Sequence, residues 1–395
     1  MTDPRAAPAI VMGLSPTGLY VARELGLAGA SLLGIETGAA VAMASRHLRG
    51  GAGSWALDSL DGLADRLAAA APNSTTPMLL PTSDVFIEFV IRHAEALART
   101  HVFAGAYRGV AADLLDKRRF HALCAAHGVA TPGVWQADGR EGLAALADAL
   151  PFPCILKPEL IHRAKSFLKG KKVLVLRGRD DYLRTVDSIP AESGGWLVQE
   201  IIPGAESAIT LFAGYVGRGG VVRQAFTARK LRQYPSGFGS ASMVISERCE
   251  ETREVSERFL RAIGFEGVCG SEFKRDPRDG KLKIIEINPR PTLWFQLTHA
   301  AGKRVVEAQW RDLCGLDPLP DPVQRDGVRW RYLLKDLASA AFYATKGRDF
   351  VFPAPDLRAG GPLTARCAPV FAADDPRPAL AEPLHFLRKA LRRLR

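Results

Sequence analysis

An α/β protein is what the sequence predicts, on three observations. Short apolar runs alternate with helical patterns over roughly the first hundred residues, strands with glycine turns follow, and two late strands carry Glu272 on one and Glu286 with Asn288 on the other. The first observation belongs to a parallel sheet flanked by helices. The second belongs to an antiparallel α+β region.

In order, residues 9–13 form a strand, 17–28 a helix and 31–35 a second strand. Residues 78–81 are a third apolar run, 85–97 a helical pattern and 102–104 a fourth run, so this region reads as a Rossmann-like domain. From Asp116 the pattern changes to a helix up to His127, a Gly-Val-Ala-Thr-Pro turn, a strand near Val134, a helix over 141–150 and the strand 154–157. A strand over 172–176 follows a lysine-rich loop. The runs 196–200, 207–215, 221–230 and 242–245 suit antiparallel strands. After a helix over 251–263, strands 268–274 and 282–288 are joined by the turn Asp276, Pro277, Arg278, Asp279, Gly280. Past about Trp310 the chain is rich in proline and arginine with weak periodicity, and it reads as an extension that wraps the rest.

The 395 residues are 47% hydrophobic, which suits roughly two or three packed globular domains. The six cysteines are scattered singly with no CxxC pair, which argues against a zinc site or a disulfide framework and fits a reducing cytoplasm. No apolar stretch approaches the roughly 20 residues that cross a bilayer, so a soluble protein is expected. The net charge of +11 is compatible with nucleic acid, a membrane surface or an anionic small molecule. Position separates these. One cluster, Lys157, Arg163, Lys165, Lys169, Lys171, Lys172, Arg177 and Arg179, is broken by strand-like and turn-like residues, and it suits a phosphate-facing loop rather than a DNA-reading helix. A second, Arg388, Lys389, Arg392, Arg393 and Arg395, is interleaved with Leu384, Leu387, Leu391 and Leu394 at helical spacing. That tail reads either as a basic amphipathic helix docked on its own protein or as a weak contact with an anionic membrane surface.

The sharpest chemical feature is Glu272 on one strand and Glu286 with Asn288 on the next. Alternate residues of a strand share a face, so Glu286 and Asn288 point the same way and Glu272 can lie opposite. Two carboxylates and an amide oxygen suit magnesium held jointly with nucleotide phosphates. The isoleucines Ile284, Ile285 and Ile287 suggest a strand buried on both faces, where acids need a partner. Arg290 can hold a carboxylate or the oxygens of a transferring phosphoryl group, or pair with one of the glutamates. Lys157 ends an apolar strand before Pro158, and Lys117 starts a helix; with the lysine-rich loop they favour a nucleotide. Gln199, Glu200, Ile201 and Ile202 form a strand edge able to offer backbone groups to a base, with Glu206 placed for ribose hydroxyls; an ordinary strand and turn is the plain alternative.

In this order the features resemble the ATP-grasp superfamily over roughly residues 9–310. The strand with Lys157 and Pro158, the linker from Gln199 to Glu206 and the run ending Glu-Ile-Asn-Pro-Arg look like that family's nucleotide and metal motifs. The resemblance implies an α/β chain with a Rossmann-like domain at 1–110, a lid subdomain at 111–195, an ATP-grasp core with the metal site at 196–310 and an extension at 311–395. It implies ATP and Mg2+ as cofactors, phosphate contacts from Lys117, Lys157 and Lys172, adenine held by backbone around Glu200 and Ile202 beside Gln199, ribose held by Glu206, and magnesium bound by Glu272, Glu286 and Asn288. A glycine-rich lid is also implied; its candidate, residues 169–172, has only Gly170. The chain looks most like the carboxylate-amine ligases that include D-aspartate ligase, which join small-molecule carboxylates and amines through an acyl phosphate in the cytoplasm, with no nucleic-acid partner. A segment from Arg229 through Lys230 to Gly239 is similar to a stretch in that group, binding substrate carboxylate or phosphate or forming a structural turn. D-alanine ligases carry an arginine two residues before the first metal acid. Gly270 stands there instead, which leaves Arg290, with Lys230, as the catalytic candidates.

Two other readings compete. Gly13, Leu14, Ser15, Pro16, Thr17, Gly18 with Glu36 could suggest a dinucleotide-binding oxidoreductase, but serine replaces the middle glycine of the fingerprint. In the preferred reading this loop and Asp84 face the active cleft and hold the second substrate. A non-catalytic nucleotide-binding protein of the same fold is the other.

Overall fold

The structure, a computed structural model, describes residues 7–49, 53–71, 75–158, 165–168, 173–190 and 195–383. The basic tail with Leu384 and Arg388, and the loop with Lys172, lie outside the described residues.

Four parallel strands make the first sheet: β1 (Ala9–Met12), β2 (Leu32–Thr37), β3 (Gly53–Leu57) and β4 (Met78–Pro81), in the order β3-β2-β1-β4. All four residues of β1 and of β4 are buried, as a parallel sheet covered on both faces requires. The helix Pro16–Leu27 starts where Ser15 Oγ accepts from the Thr17 amide and Pro16 occupies the first turn. The strand β3 is absent from the sequence reading. It is an edge strand of partly exposed and exposed residues in alternation, with no apolar run to mark it.

A smaller antiparallel sheet follows, from β5 (Val134–Asp138), β6 (Cys154–Pro158), β7 (Leu174–Leu176) and β8 (Gly195–Glu200), ordered β5-β8-β6-β7. Tyr182, Trp196, Leu156 and Val198 fill its own core. Because β8 pairs with β5 and β6, the division expected at 195/196 falls at the start of a strand of this sheet.

The largest sheet contains β9 (Ile209–Gly217), β10 (Val221–Tyr234), β11 (Ser240–Ser246), β12 (Gly267–Arg275), β13 (Leu282–Asn288), β14 (Val328–Arg331) and β15 (Ala365–Cys367). Its order is β13-β12-β9-β10-β11-β14-β15, antiparallel except for β14 beside β15. Every residue of β9 is buried. The residues after 310 therefore do more than wrap the rest, because β14 and β15 extend this sheet. They also dock the helix Leu333–Lys346, whose fully buried Asp336 pairs with Arg232 at 2.7 Å and with Arg331 at 2.5 Å.

Buried polar staples hold the first sheet to the last. Glu24, on the helix Pro16–Leu27, accepts from the amides of Val306 and Glu307 at 3.0 Å, at the N-terminus of the helix Val305–Leu313, and from Tyr20 Oη at 2.9 Å. A carboxylate there satisfies amides that helix geometry leaves open. Further along, Asp375 accepts from Arg23 Nε at 3.0 Å and Ser45 Oγ at 2.7 Å, tying the last described segment back to the first sheet's helices. Among the described residues no helix is long and apolar enough to cross a membrane.

Candidate active site

Antiparallel pairing puts Glu272 of β12 directly beside Glu286 of β13, and Gly270 beside Asn288. A bulge follows, since Phe273 pairs with Ile284 and leaves Ile285 as an extra residue. In a regular strand Ile285 and Glu286 would face opposite sides. Here both line one cleft, a change of aim that bulges produce. Glu286 is exposed into it, contrary to the expectation of a strand buried on both faces, and Asn288 Nδ2 donates to Glu286 Oε1 at 3.0 Å.

Behind the acids stands Lys230. Only 1% of its side chain is exposed, and its Nζ lies 2.5 Å from Glu272 Oε2. Burial raises the Glu272 carboxyl above the usual carboxylate range, and Glu286 beside it adds to this while Lys230 opposes it.

Across the cleft, Lys157 at the end of β6 donates to Gln199 Oε1 on β8 at 2.5 Å. Burial, with the charge of Lys117 alongside, brings its ammonium down to about 7. Lys117 opens the helix Lys117–Ala126, whose cap Asp116 accepts from the Arg119 amide at 3.0 Å. The β8–β9 link closes one end. Glu206 in it is buried, and its oxygens accept from the amides of Gln233 at 3.0 Å and Gly237 at 2.5 Å. The Glu200 carboxylate accepts from the Gly133 amide at 2.8 Å and from Arg278, while the Ile202 carbonyl accepts from Lys274 Nζ at 2.9 Å.

The cleft so formed has a volume of about 430 Å³, within the ~300–1,000 Å³ of small-ligand pockets. Lys117, Lys157, Gln199, Glu200, Ile202, Glu206, Glu272 and Glu286 all line it, as does Asp84 from the first sheet. Lys230 and Asn288 touch it through their partners. Arg290 pairs with Asp84, Nε to Oδ1 at 2.7 Å, rather than with either glutamate. Within the segment 229–239, Arg229 pairs with Glu247 at 2.5 Å, and Gly237, Phe238 and Gly239 form part of the cleft wall.

Sequence reasoning missed Lys274, Ile285 and Phe352 as site residues, all of which line the cleft, as does Gln233 of the segment 229–239. Lys274 had a signal, because it lies two residues after Glu272 and so shares its face. For Phe352, in the extension, no local pattern exists. The loop after β1 is held by residues of the first sheet, and none of residues 13–18 lines the cleft. Gly13 adopts φ +98° and its carbonyl accepts from Thr82 Oγ1 at 2.7 Å, while the Leu14 amide, which a dinucleotide reading would leave to a pyrophosphate, donates to Glu36 Oε2 at 2.7 Å.

The cleft offers oxygen donors from two carboxylates and an amide, and among the described residues no group of three or more His, Cys, Asp or Glu could hold a metal by itself. A hard divalent cation fits that donor set when further oxygens come from a ligand.

The architecture is the ATP-grasp fold. The chain superposes on an N5-carboxyaminoimidazole ribonucleotide synthetase in an ADP complex with a TM-score of 0.63 at 14% identity, covering 81% of this chain and 80% of that one. The biotin carboxylase domain of Hydrogenobacter thermophilus 2-oxoglutarate carboxylase, in complex with MgADP, ADP and bicarbonate, gives 0.60 at 16% identity, covering 81% and 73%. A carboxyaminoimidazole ribonucleotide synthase from Aspergillus clavatus complexed with ATP gives 0.61 at 12%, covering 82% and 80%. In sequence, the chain is similar to D-aspartate ligase of Enterococcus faecium (strain Aus0004), 25% identical over 225 residues. That match takes in 54% of this chain and spans about half of the relative, 53% of its length. No family model matches.

Proposed function

We propose that this chain is an ATP- and magnesium-dependent carboxylate-amine ligase. The observation that carries the reading is the cleft itself, with the pair Glu272 and Glu286 on one wall and Lys157 with Lys117 on the other. Such an arrangement suits a polyphosphate chain neutralised from both sides. The enzymes named above, with their ADP, MgADP and ATP complexes, support it.

Glu272, Glu286 and Asn288 would hold Mg2+, which when bound supplies charge neutralisation at the phosphate oxygens. Lys157 and Lys117, with Lys172 in the lid, hold phosphates. Gln199 fixes the Lys157 ammonium, backbone around Glu200 and Ile202 faces the adenine, and Glu206 keeps lone pairs for ribose hydroxyls while its two amide contacts fix the loop. The reaction then needs a carboxylate oxygen of the substrate to attack the terminal phosphorus, with ADP leaving. An amine next attacks the acyl carbon, inorganic phosphate departs, and the amine loses a proton. Arg290 stabilises the acyl phosphate oxygens, and Lys230 sets the charge of Glu272.

In this reading the first sheet is a Rossmann-like domain over 1–110, and its Asp84 brings the second substrate to the cleft. The small sheet within 111–195, joined by β8, is the lid, residues 196–310 hold the metal site, and residues 311–395 extend that core. The substrates are a small carboxylate and an amine in the cytoplasm, with no nucleic acid, and the basic tail gives at most a weak membrane-surface contact. Screening amino acids and small carboxylates for stimulated ADP release tests the proposal. Formation of AMP and pyrophosphate in place of ADP and phosphate contradicts it.

A further inference from the structure

The segment after the helix Leu333–Lys346 reaches the cleft. Its Phe352 lines that cleft and is 7% exposed, clustered with Ile155 of β6 and Ile201, beside Val173 and Phe238. Phe238 stacks on it obliquely, with ring centroids 5.4 Å apart. Lys274 Nζ lies 4.2 Å from the Phe352 ring centroid while donating to the carbonyls of Ile202 at 2.9 Å and Gly204 at 2.7 Å.

The segment is fixed at both ends. Arg177, after β7 of the small sheet, donates to the Asp349 carbonyl, and the Asp356 amide donates to Ser207 Oγ at 2.9 Å. Phe350 packs edge-on against Phe342, with centroids 4.9 Å apart. Gly237, at φ +85°, lies so close that a Cβ there would sit 2.4 Å from Phe350 Cζ. Phe352, far beyond the paired acids in sequence, is thus built into the cleft by segments from several parts of the chain.

We propose that this C-terminal segment is a wall of the nucleotide site, with Phe352 presenting its ring to the base. The inference rests on the nucleotide reading above and adds to it a residue of the C-terminal extension. The chemistry is that of a planar aromatic ligand. Aliphatic side chains from Ile155, Val173 and Ile201 and an aromatic ring make an apolar slot in the cleft wall, while the lysines and acids serve the phosphates. Lys274 is a positioning residue here. It holds the Ile202 and Gly204 carbonyls of the linker and the Phe352 ring in one arrangement.

Calorimetric titration with MgADP and with magnesium tripolyphosphate, which presents phosphates without a base, tests this. Phe352→Ala should weaken MgADP binding by about tenfold, the scale of one base–aromatic stack, and leave tripolyphosphate binding unchanged. Phe352→Leu keeps an apolar side chain in place, so it folds even if the alanine variant does not, and it should shift MgADP in the same direction. MgADP binding by Phe352→Leu as tight as that of the wild type, or an equal loss for both probes, overturns the wall while the nucleotide reading stands. A wild-type chain that binds neither probe overturns both.

Discussion

Lys230 and Glu272 form a pair with almost no solvent at the lysine, Nζ to Oε2 at 2.5 Å, and Gln233 Oε1 is the next partner at 3.4 Å. The acid faces the cleft and the base lies behind it. Removing the lysine leaves a carboxylate beside Glu286 with nothing to offset burial. Lys230→Met should therefore cost about 3 kcal/mol of stability, as breaking a buried pair from one side does. Lys230→Met with Glu272→Gln should recover a large part of that. Chemical denaturation of the single and double variants measures the difference, and equal losses in the two would show that the pair is not coupled.

Lys157 should make nucleotide binding depend on pH. Its folded-state value, about 7, lies below the ordinary lysine value of 10.5 because burial penalises the ammonium and Lys117 repels it. Between these values the unfolded chain holds more protons, so Lys157 makes stability rise with pH across that window. Phosphates favour the ammonium, so binding has the opposite sign. MgADP should bind with proton uptake at about pH 8 and more weakly as pH rises further. Calorimetry in two buffers of different ionisation enthalpy reads the uptake, and Lys157→Met should abolish it. Uptake that survives in that variant would assign the proton elsewhere.

The ion pair between Arg290 and Asp84 joins the large sheet's edge to the first sheet. Asp84 is 55% exposed, so the pair contributes under ~1 kcal/mol to stability. Its role lies in substrate handling. Arg290→Lys loses the planar fork, and the rate should fall by about a hundredfold while MgADP affinity is preserved. Asp84→Asn should raise the KM of one substrate and leave thermal stability nearly unchanged. A matched loss of nucleotide affinity in either variant would place these residues in the nucleotide site instead.

Much of this was legible in the sequence where the signal is local. The buried strands β1 and β4 show as apolar runs, and Glu272, Glu286 and Asn288 show through two-residue alternation. The strand β14 did not show. Its four residues, Val-Arg-Trp-Arg, are half buried in alternation, and their place is set by pairing with Met243 to Ile245, more than eighty positions earlier. The bulge at Ile285 is likewise a property of two paired strands. Phe352 reaches the cleft only because distant segments fold around it. Glu206 illustrates a different gap: its spacing was readable, but its contacts with the Gln233 and Gly237 amides depend on how β10 ends.

The measurement that bears most directly on the ligase reading is ADP release by Glu286→Gln. The substitution keeps the side-chain volume and removes the charge at an exposed position of β13, so thermal stability without ligand should be nearly unchanged. Nucleotide binding should be modestly weaker. The substrate-stimulated rate should fall by about a hundredfold or more, as loss of about 3 kcal/mol of transition-state stabilisation gives. Near-normal ADP release by this variant in saturating magnesium would contradict the assignment of Glu286 as a metal ligand, and with it the account of how the cleft works.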